Sequence, residues 1–200
     1  GMRRVNETTG YPVQNPTLTP RGSTLARHMA GFGSSLTYKD VRFTFNFEYR
    51  GGGVMYADLG RQMTFTGSGL WTIDRNPQIF ANSYYLDAAG KEVPNTTIQV
   101  REPEYALWVN NYRLISENFV CPSWFIKLRD VNLSYDLPAS IIKKTKFFSN
   151  VSIAAFGRNL FTIVDKKNFY TDPEFSYTSG NGLGISNTGQ TTPVRQYGIN

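Results

Sequence analysis

The chain has 200 residues, of which 40% are hydrophobic and 14% aromatic, and its 21 basic and 15 acidic residues give a formal charge of +6. This length allows one domain, or at most two. One cysteine, Cys121, excludes an internal disulfide, and with a single histidine, His28, the chain has no Cys/His cluster for zinc and no spare members for a Ser/His/Asp or Cys/His catalytic set. We therefore predict that the protein is not an enzyme and has no catalytic, cofactor or metal site. We also predict no nucleic-acid binding, because the basic residues accompany no recognised motif.

Eighteen glycines and ten prolines indicate many turns, and few segments show helical periodicity, so we predict an all-β fold. The mean hydropathy is -0.36. This value does not exclude a membrane address, because the strands of a membrane barrel alternate lipid-facing and lumen-facing residues.

Residues 1–30 are polar and interrupted by Pro12, Pro16 and Pro20, which predicts a loop or residues added for expression. The arginines of this segment are predicted to be solvent-exposed: Arg3, Arg4, Arg21 and Arg27.

Residues 31–50 predict a hairpin of two strands, 31–38 and 41–50, joined by the two-residue turn Lys39–Asp40. The second strand alternates fully. One face carries Val41, Phe43, Phe45, Phe47 and Tyr49, and the other face carries polar and charged residues.

Residues 51–122 form the longest irregular segment and are interpreted as a loop, with short β pieces at Thr96–Val100 and Tyr105–Val109. A compact soluble domain rarely contains a loop of this length, whereas outer-membrane barrels have long extracellular loops. Cys121, which lies at the end of this segment, is interpreted as a packing or loop residue rather than a nucleophile.

A long strand is predicted at 123–136, where the apolar residues are even-numbered up to Leu128 and odd-numbered from Val131. Because side chains alternate faces along a strand, this switch requires one extra residue, and we predict a β-bulge at Arg129–Asp130. The strand is long for a globular protein but suits a tilted membrane strand of about 9–11 residues.

A short connection, 137–149, follows, with one helical turn at Ile141–Lys144. Further strands are predicted at 150–161 and 194–200, separated by a long loop at 162–193. Short and long connections thus alternate along the chain. This is the layout of an up-and-down outer-membrane barrel, although about five strands are too few to close one.

Two segments resemble the C-terminal barrel strands of the SusC/RagA family of TonB-dependent outer-membrane transporters. They are Ser123–Pro138 (SWFIKLRDVNLSYDLP) and Val151–Thr162 (VSIAAFGRNLFT). The hairpin GFGSSLTYKDVRFTFNFEYRGGGVMY and the loop segments GRQMTFTGSG and YLDAAGKEVPNT are also similar to that family.

The resemblance implies antiparallel strands that form the C-terminal part of a transmembrane β-barrel, with long extracellular loops, over residues 31–200. It implies a fragment of a nutrient importer of the bacterial outer membrane, in contact with membrane lipid. The substrate would be a glycan or peptide, and the partners a SusD-like surface lipoprotein and, through N-terminal parts expected outside this sequence, the TonB complex. Family members usually end in a complete strand with a terminal aromatic residue. This sequence stops at Asn200, which we expect to be a few residues short.

Five aromatic residues of the 51–122 loop are predicted as possible ligand or partner contacts: Trp71, Tyr84, Tyr85, Trp108 and Tyr112.

Two alternatives to the importer fragment remain. A soluble β-sandwich carbohydrate-binding module would show the same strand alternation. A hydrolase would need paired carboxylates, for which the candidates are Asp172 with Glu174, and Glu102 with Glu104.

Overall fold

A computed structural model of the protein describes residues 2–100, 105–144, 147–191 and 193–200. The chain folds into two compact units. The first unit comprises the residues up to Gly22 together with Tyr56–Val120 and Ile185–Thr188. The second comprises Ser23–Met55, Cys121–Gly184 and Gly189–Asn200.

The described residues form twelve strands: β1 (Arg3–Arg4), β2 (His28–Tyr38), β3 (Val41–Gly51), β4 (Val54–Ala57), β5 (Ser83–Leu86), β6 (Glu92–Pro94), β7 (Val120–Pro122), β8 (Phe125–Asp136), β9 (Ser152–Arg158), β10 (Thr162–Val164), β11 (Ile185–Ser186) and β12 (Gln196–Ile199). The helices are α1 (Asp58–Thr66), α2 (Tyr105–Trp108) and α3 (Ala139–Ile142), with 3₁₀ turns at Leu70–Thr72, Tyr112–Leu114, Ser116–Phe119 and Gly180–Gly182. In the part of the chain that the structure describes, no helix has the length and apolar content needed to cross a membrane.

The second unit is built on a six-stranded sheet in the order β12-β9-β8-β3-β2, in which β10 also pairs with β8. Each of these pairings is antiparallel. The predicted all-β fold of antiparallel up-and-down strands is therefore confirmed. The strands β2, β3, β8, β9 and β12 overlap the five segments predicted from alternation, and β2 begins three residues earlier, at His28.

The strand predicted over 150–161 is interrupted in the structure. β9 ends at Arg158, and Asn159 has a φ of 50°, in the left-handed region that strands do not use. The pairing with β8 resumes at β10, where Thr162 lies opposite Lys127. The break explains why the apolar alternation in this segment is less regular than in β3.

The predicted β-bulge in β8 is confirmed. Along β3, Asn46 lies opposite Asp130, but the next residue, Phe47, lies opposite Leu128. Arg129 is therefore the extra residue, with no partner of its own in the β3 register. The bulge lets apolar residues of opposite parity in β8 share one face of the sheet.

One face of this sheet is apolar and largely uncovered in the described residues. The Phe45 ring lies 5.7 Å from both Phe32 and Phe43 and 5.8 Å from Phe47, measured between ring centroids. Across the pairings, Phe43 lies opposite Leu133. Large apolar side chains of these strands remain exposed: Phe32, Leu36, Leu133, Ile153 and Tyr197 are 65%, 58%, 49%, 52% and 83% exposed.

The first unit shows that much of the predicted 51–122 loop is folded. Its sheet has the order β1-β5-β6, in which β1 is parallel and β6 antiparallel to β5. α1 ends at Gly67, whose φ of 70° and N–H bond to the Met63 carbonyl form a left-handed C-cap. The buried core contains Val100, Leu107 and Trp108.

Three local predictions for this unit are wrong. Residues 96–100 are not a strand, because the buried Asn95 side chain accepts the backbone N–H of Ile98 and donates to its carbonyl, which holds the backbone in a turn. The segment beginning at Tyr105 is helix α2. Residues 1–30 are not all loop, since Arg3 and Arg4 pair with β5 and Val5 is buried.

The short connection after β8 contains the predicted helical turn, displaced by two residues. Pro138 precedes α3, whose four residues begin at Ala139. A proline suits this position, because the first N–H groups of a helix have no intrahelical acceptor.

The β2–β3 turn contains a residue in a strained backbone conformation. Lys39 has a φ of 53°, and the left-handed conformation costs a residue with a Cβ about 1–2 kcal/mol. We expect Lys39→Gly to raise the free energy of unfolding by roughly 0.5–1 kcal/mol, after allowing for the greater chain entropy of glycine. The measurement is the urea midpoint of the purified chain.

Lys39→Ala is the matched control. It also removes the ammonium group that lies 5.4 Å from the Tyr38 ring, but it keeps the Cβ and therefore the strain. Equal midpoints for the glycine and alanine variants would contradict this account of the turn.

Candidate functional site

Strands β3 and β8 bring charged side chains together on the polar face of the second-unit sheet. Glu48 lies opposite Lys127, and Arg50 lies opposite Phe125. These residues alternate with the apolar positions of the same strands, so they share the other face. The Phe125 ring lies beneath three cations, with its centroid 5.0 Å from Lys127 Nζ and 5.9 and 5.6 Å from the guanidinium carbons of Arg50 and Arg129.

Lys127 is the buried centre of this group, with a side chain that is only 4% exposed. Its ammonium group donates to Asp172 Oδ1 and Oδ2 at 2.8 and 2.6 Å and to Glu174 Oε2 at 2.5 Å. The ammonium group is therefore in contact with three oxygens from two carboxylates. These bonds attach the segment after β10 to the sheet.

Arg129, the bulge residue, completes an ion-pair network. Its Nε donates to Glu48 Oε2 at 2.6 Å, its Nη1 donates to Glu174 Oε2 at 2.8 Å, and its Nη2 donates to Glu174 Oε1. Burial alone would raise the pKa of Glu174, but the hydrogen bonds from Arg129 and Lys127 outweigh it and lower the pKa to about 2. Glu174 is therefore ionised at neutral pH.

The network bears on the hydrolase alternative. Asp172 and Glu174 lie close together, as a carboxylate pair would, but both are bound by cations. A raised pKa is what a general acid needs, and Glu174 has a lowered one. The other candidates, Glu102 and Glu104, lie outside the described residues.

A cavity of about 1000 Å³ lies beside the network, wholly within the second unit. Its wall combines the network residues with hydroxyl and apolar groups from the segments around β10 and before β12: Thr162, Val164, Thr171, Phe175, Thr191 and Val194. Arg195 also lines it and is exposed.

The first unit contains a separate aromatic cavity of about 470 Å³. Three of the five aromatic residues predicted from the sequence line it: Trp71, Trp108 and Tyr112. Phe80, which was not predicted as a contact from the sequence, also lines it. Tyr84 and Tyr85 lie on β5, half-buried, and are not part of this cavity wall.

The two tryptophans of the cavity differ in how their ring N–H groups are satisfied. Trp71, in a 3₁₀ turn, donates to Thr64 Oγ1 at 3.0 Å. Trp108 is 7% exposed and lies edge-on to Tyr112, with 5.2 Å between ring centroids. Within the described residues, no acceptor is bound to the buried Trp108 Nε1.

Arg3 also lines this cavity, although its polar sequence context predicts a solvent-exposed side chain. β1 positions it, since Arg3 pairs with Ser83 of β5. Its guanidinium carbon lies 5.6 Å from the ring centroids of both Phe80 and Tyr112, and its Nη2 donates to Asn118 Oδ1 at 2.7 Å. No local signal in the sequence distinguishes Arg3 from Arg4, because these partners are far away in the chain.

Cys121 is buried, as expected for a packing residue. Burial, followed by the nearby Asp165 carboxylate, raises the pKa of the thiol to about 11. The thiolate, which is the nucleophilic form, is therefore scarce at neutral pH. No group of three or more His, Cys, Asp and Glu side chains is arranged for a metal ion in the part of the chain that the structure describes.

Comparison with known proteins finds similarity at the level of structure. No protein-family model matches the sequence, and no curated protein matches it either. Among solved structures, the RagAB peptide importer in its closed-closed state matches 98% of the chain at 20% identity and a TM-score of 0.58. The open-open state matches 98% at 18% identity and 0.59, and the RagAB peptide transporter matches 99% at 19% identity and 0.59.

The chain spans only about a fifth of the length of these proteins, namely 19%, 19% and 21% of the matched chains. At such low sequence identity the similarity concerns the fold. The antiparallel sheet of this protein therefore has the fold of part of a larger transporter chain.

The buried ion pairs give a stability prediction. Lys127→Met leaves Asp172 and Glu174 without their lysine partner, and breaking a buried pair in this way costs about 3–5 kcal/mol. We expect the free energy of unfolding, measured with guanidinium chloride, to fall by that amount.

The control for Lys127→Met is Arg158→Gln. Arg158 pairs with Asp130 at 3.3 Å, but both side chains are more than half exposed, at 61% and 58%. An exposed pair contributes about 0–1 kcal/mol. Equal losses in the two variants would contradict a special role for the buried network.

The lowered pKa of Glu174 predicts a pH dependence of stability. A carboxylate whose pKa is about 2 in the folded state and 4.5 when unperturbed stabilises the fold above pH 4.5, and this contribution is lost as the pH falls toward 2. We expect unfolding experiments between pH 6 and pH 3 to show falling stability. Glu174→Gln should reduce that slope, and an unchanged slope would show that other carboxylates cause it.

Proposed function

We propose that this chain is a part of a TonB-dependent nutrient importer of the bacterial outer membrane, related to the SusC/RagA family. In this proposal the sheet of the second unit contributes barrel wall. The long segment between β3 and β8, which supplies most of the first unit, lies on the extracellular side in this proposal. The family resemblance of the β8 and β9 sequences and the structural similarity to RagAB chains both support the proposal.

The observation that carries the proposal is the two-faced sheet. One face presents exposed Phe32, Leu133 and Ile153, and the other carries charged residues such as Lys127 and Arg129. An exposed apolar face is unfavourable in water, whereas a membrane barrel places such a face against lipid and its polar face toward the lumen.

The same observation weighs against the alternative of a soluble β-sandwich carbohydrate-binding module. In a sandwich the apolar faces of two sheets pack against each other about 10 Å apart and become buried. In the described residues the apolar face of this sheet has no second sheet over it, since Leu36 and Tyr197 are 58% and 83% exposed. The chain should therefore need detergent to remain monodisperse.

The partners follow from the proposed class. A SusD-like surface lipoprotein would cover the extracellular side, and the TonB complex would act through parts of the parent protein outside this sequence. The substrate would be a glycan or a peptide, and RagAB, the protein of similar structure, is a peptide importer. The aromatic residues Trp71, Tyr84, Tyr85, Trp108 and Tyr112 remain proposed ligand or partner contacts.

A charge on the apolar face tests the membrane orientation. Phe45 lies midway along β3, and an arginine facing lipid near the bilayer midplane costs about 2–4 kcal/mol. We expect Phe45→Arg in the parent protein to reduce the amount of folded, heat-modifiable protein in isolated outer membranes.

Two controls separate charge from packing. Phe45→Leu removes the ring contacts without adding a charge, and Thr44→Arg adds the same charge on the opposite face of β3. Both variants should assemble better than Phe45→Arg. Normal assembly of Phe45→Arg, or an equal defect in Thr44→Arg, would show that the apolar face does not contact lipid.

A further inference from the structure

We infer that the end of the second-unit sheet at which its short connections lie binds the phosphate headgroups of anionic phospholipids. The turn-end surface that makes this contact consists of exposed lysine and phenylalanine side chains: Lys39, Lys143, Lys144, Phe147 and Phe148. The inference rests on the proposed function in one respect, namely that the apolar face of the sheet contacts lipid.

Backbone hydrogen bonds bring the two short connections to the same end of the sheet. The Lys39–Asp40 turn joins β2 to β3, and Asp136, the last residue of β8, donates its N–H to the Asp40 carbonyl at 2.8 Å. The connection after β8 is closed by a bond of 2.9 Å from the Leu137 N–H to the Val151 carbonyl. The lysines of both connections therefore lie at one end of the sheet.

The apolar face of the sheet changes in composition toward this end. Its middle carries purely apolar rings such as Phe45, whereas its last row holds Tyr38, Val41 and Tyr135 side by side. The two tyrosines are 74% and 43% exposed. Tyrosine favours the boundary between hydrocarbon and headgroups, because its ring is apolar and its hydroxyl is polar. Lys39 follows Tyr38 directly and lies beyond this row.

Distances along the strand agree with this order. Phe45 lies four residues from Val41 on β3. Four residues span about 14 Å, or about 10 Å along the membrane normal for a strand tilted by about 40°, and half of the apolar band of a membrane barrel is about 12 Å. With Phe45 near the bilayer midplane, the tyrosine row lies at the interface, and the turn lysines lie at the depth of the phosphate groups.

The lysines of the turn-end surface have no carboxylate partner. Within the described residues, none of the three takes part in an ion pair. Two exposed aspartates, Asp40 and Asp136, lie at the same end. Asp136 shares the polar face of β8 with Ser134, two residues earlier. Only Asp40 therefore accompanies the lysines, and the excess positive charge matches an anionic membrane surface.

Phe147 and Phe148 supply the apolar part of the turn-end surface. They are 92% and 62% exposed, whereas Ile142 in the same connection is 5% exposed. The connection thus buries one apolar side chain and leaves both rings accessible. Cations beside exposed aromatic rings are typical of segments that lie in a membrane interface. An acidic protein would also match the lysines, but the continuity with the apolar sheet face favours lipid.

Vesicle flotation of the full chain tests the inference. The chain is diluted from detergent into preformed vesicles of phosphatidylcholine alone or of an equal mixture with phosphatidylglycerol, and the floating fraction is measured against lipid concentration. We expect roughly hundredfold stronger partitioning into the anionic vesicles at low salt, because each lysine close to a charged membrane surface contributes about fivefold. The preference should disappear near 1 M NaCl, where the Debye length is about 3 Å.

Two double variants of equal charge locate the surface. Lys143→Gln with Lys144→Gln should reduce the preference roughly 25-fold, at about fivefold per lysine. Arg42→Gln with Arg158→Gln removes the same charge from exposed residues of the polar face, which lie opposite Ser134 and Asp130, and should leave the preference nearly unchanged. An equal loss in both would show an effect of net charge alone and overturn the inference. Lys39 is left unaltered, because its φ of 53° couples any substitution to the strain of the turn.

A third double variant tests the aromatic part. Phe147→Ala with Phe148→Ala should weaken partitioning into both kinds of vesicle. Unchanged flotation of this variant overturns the inference, and so does unchanged flotation of the lysine variant, which is expected if the surface docks a second copy or an acidic protein. Equal partitioning of the unaltered chain into both vesicles would overturn this inference alone. No partitioning into either would also contradict the lipid-facing sheet.

Discussion

The ammonium group of Lys127 is buried on a sheet face that also carries Glu48, Arg50 and Arg129. Removing a charge from water costs several kcal/mol unless partners replace the lost hydration. Asp172 and Glu174, which follow β10, provide those partners, and three cations then face three carboxylates. The position of the segment after β10 therefore depends on the charge pattern of β3 and β8. The sheet and this segment form one electrostatic arrangement.

The extra residue at Arg129 makes this arrangement compatible with a continuous apolar face. In a regular antiparallel ladder, an apolar pattern that changes parity would send half of its side chains to the polar face. The bulge places Leu128 opposite Phe47 and Val131 opposite Phe45, so both remain apolar pairs. At the same point Arg129 is directed to Glu48 and Glu174. One inserted residue thus preserves the apolar face and supplies a third cation, beside Arg50 and Lys127, to the polar face.

The main strands of the second unit could be predicted from the sequence because alternation with period 2 is a local signal. Both the β3 strand and the β8 bulge could be derived from it. The first unit could not be derived in this way. Arg3 binds Asn118, more than a hundred residues away, and the backbone N–H of Val5 binds the Tyr84 carbonyl, which is also far away in the chain. The turn at Asn95 is held by a hydrogen bond from the Ile98 backbone N–H to the Asn95 side chain. Strand propensities do not take such a bond into account.

The aromatic residues of the first unit show why residue type alone does not identify a ligand contact. A tryptophan in a long loop is expected either in a core or on a binding surface. Trp108 is buried and is part of the core of the first unit. The two tryptophans differ at the polar atom of the ring. Trp71 donates its N–H to Thr64 Oγ1, whereas within the described residues no acceptor is bound to Trp108 Nε1. An unsatisfied buried donor costs about 1–3 kcal/mol. The Trp71 ring is therefore fixed by a polar contact, whereas the Trp108 ring is held by burial and by its edge-on contact with Tyr112.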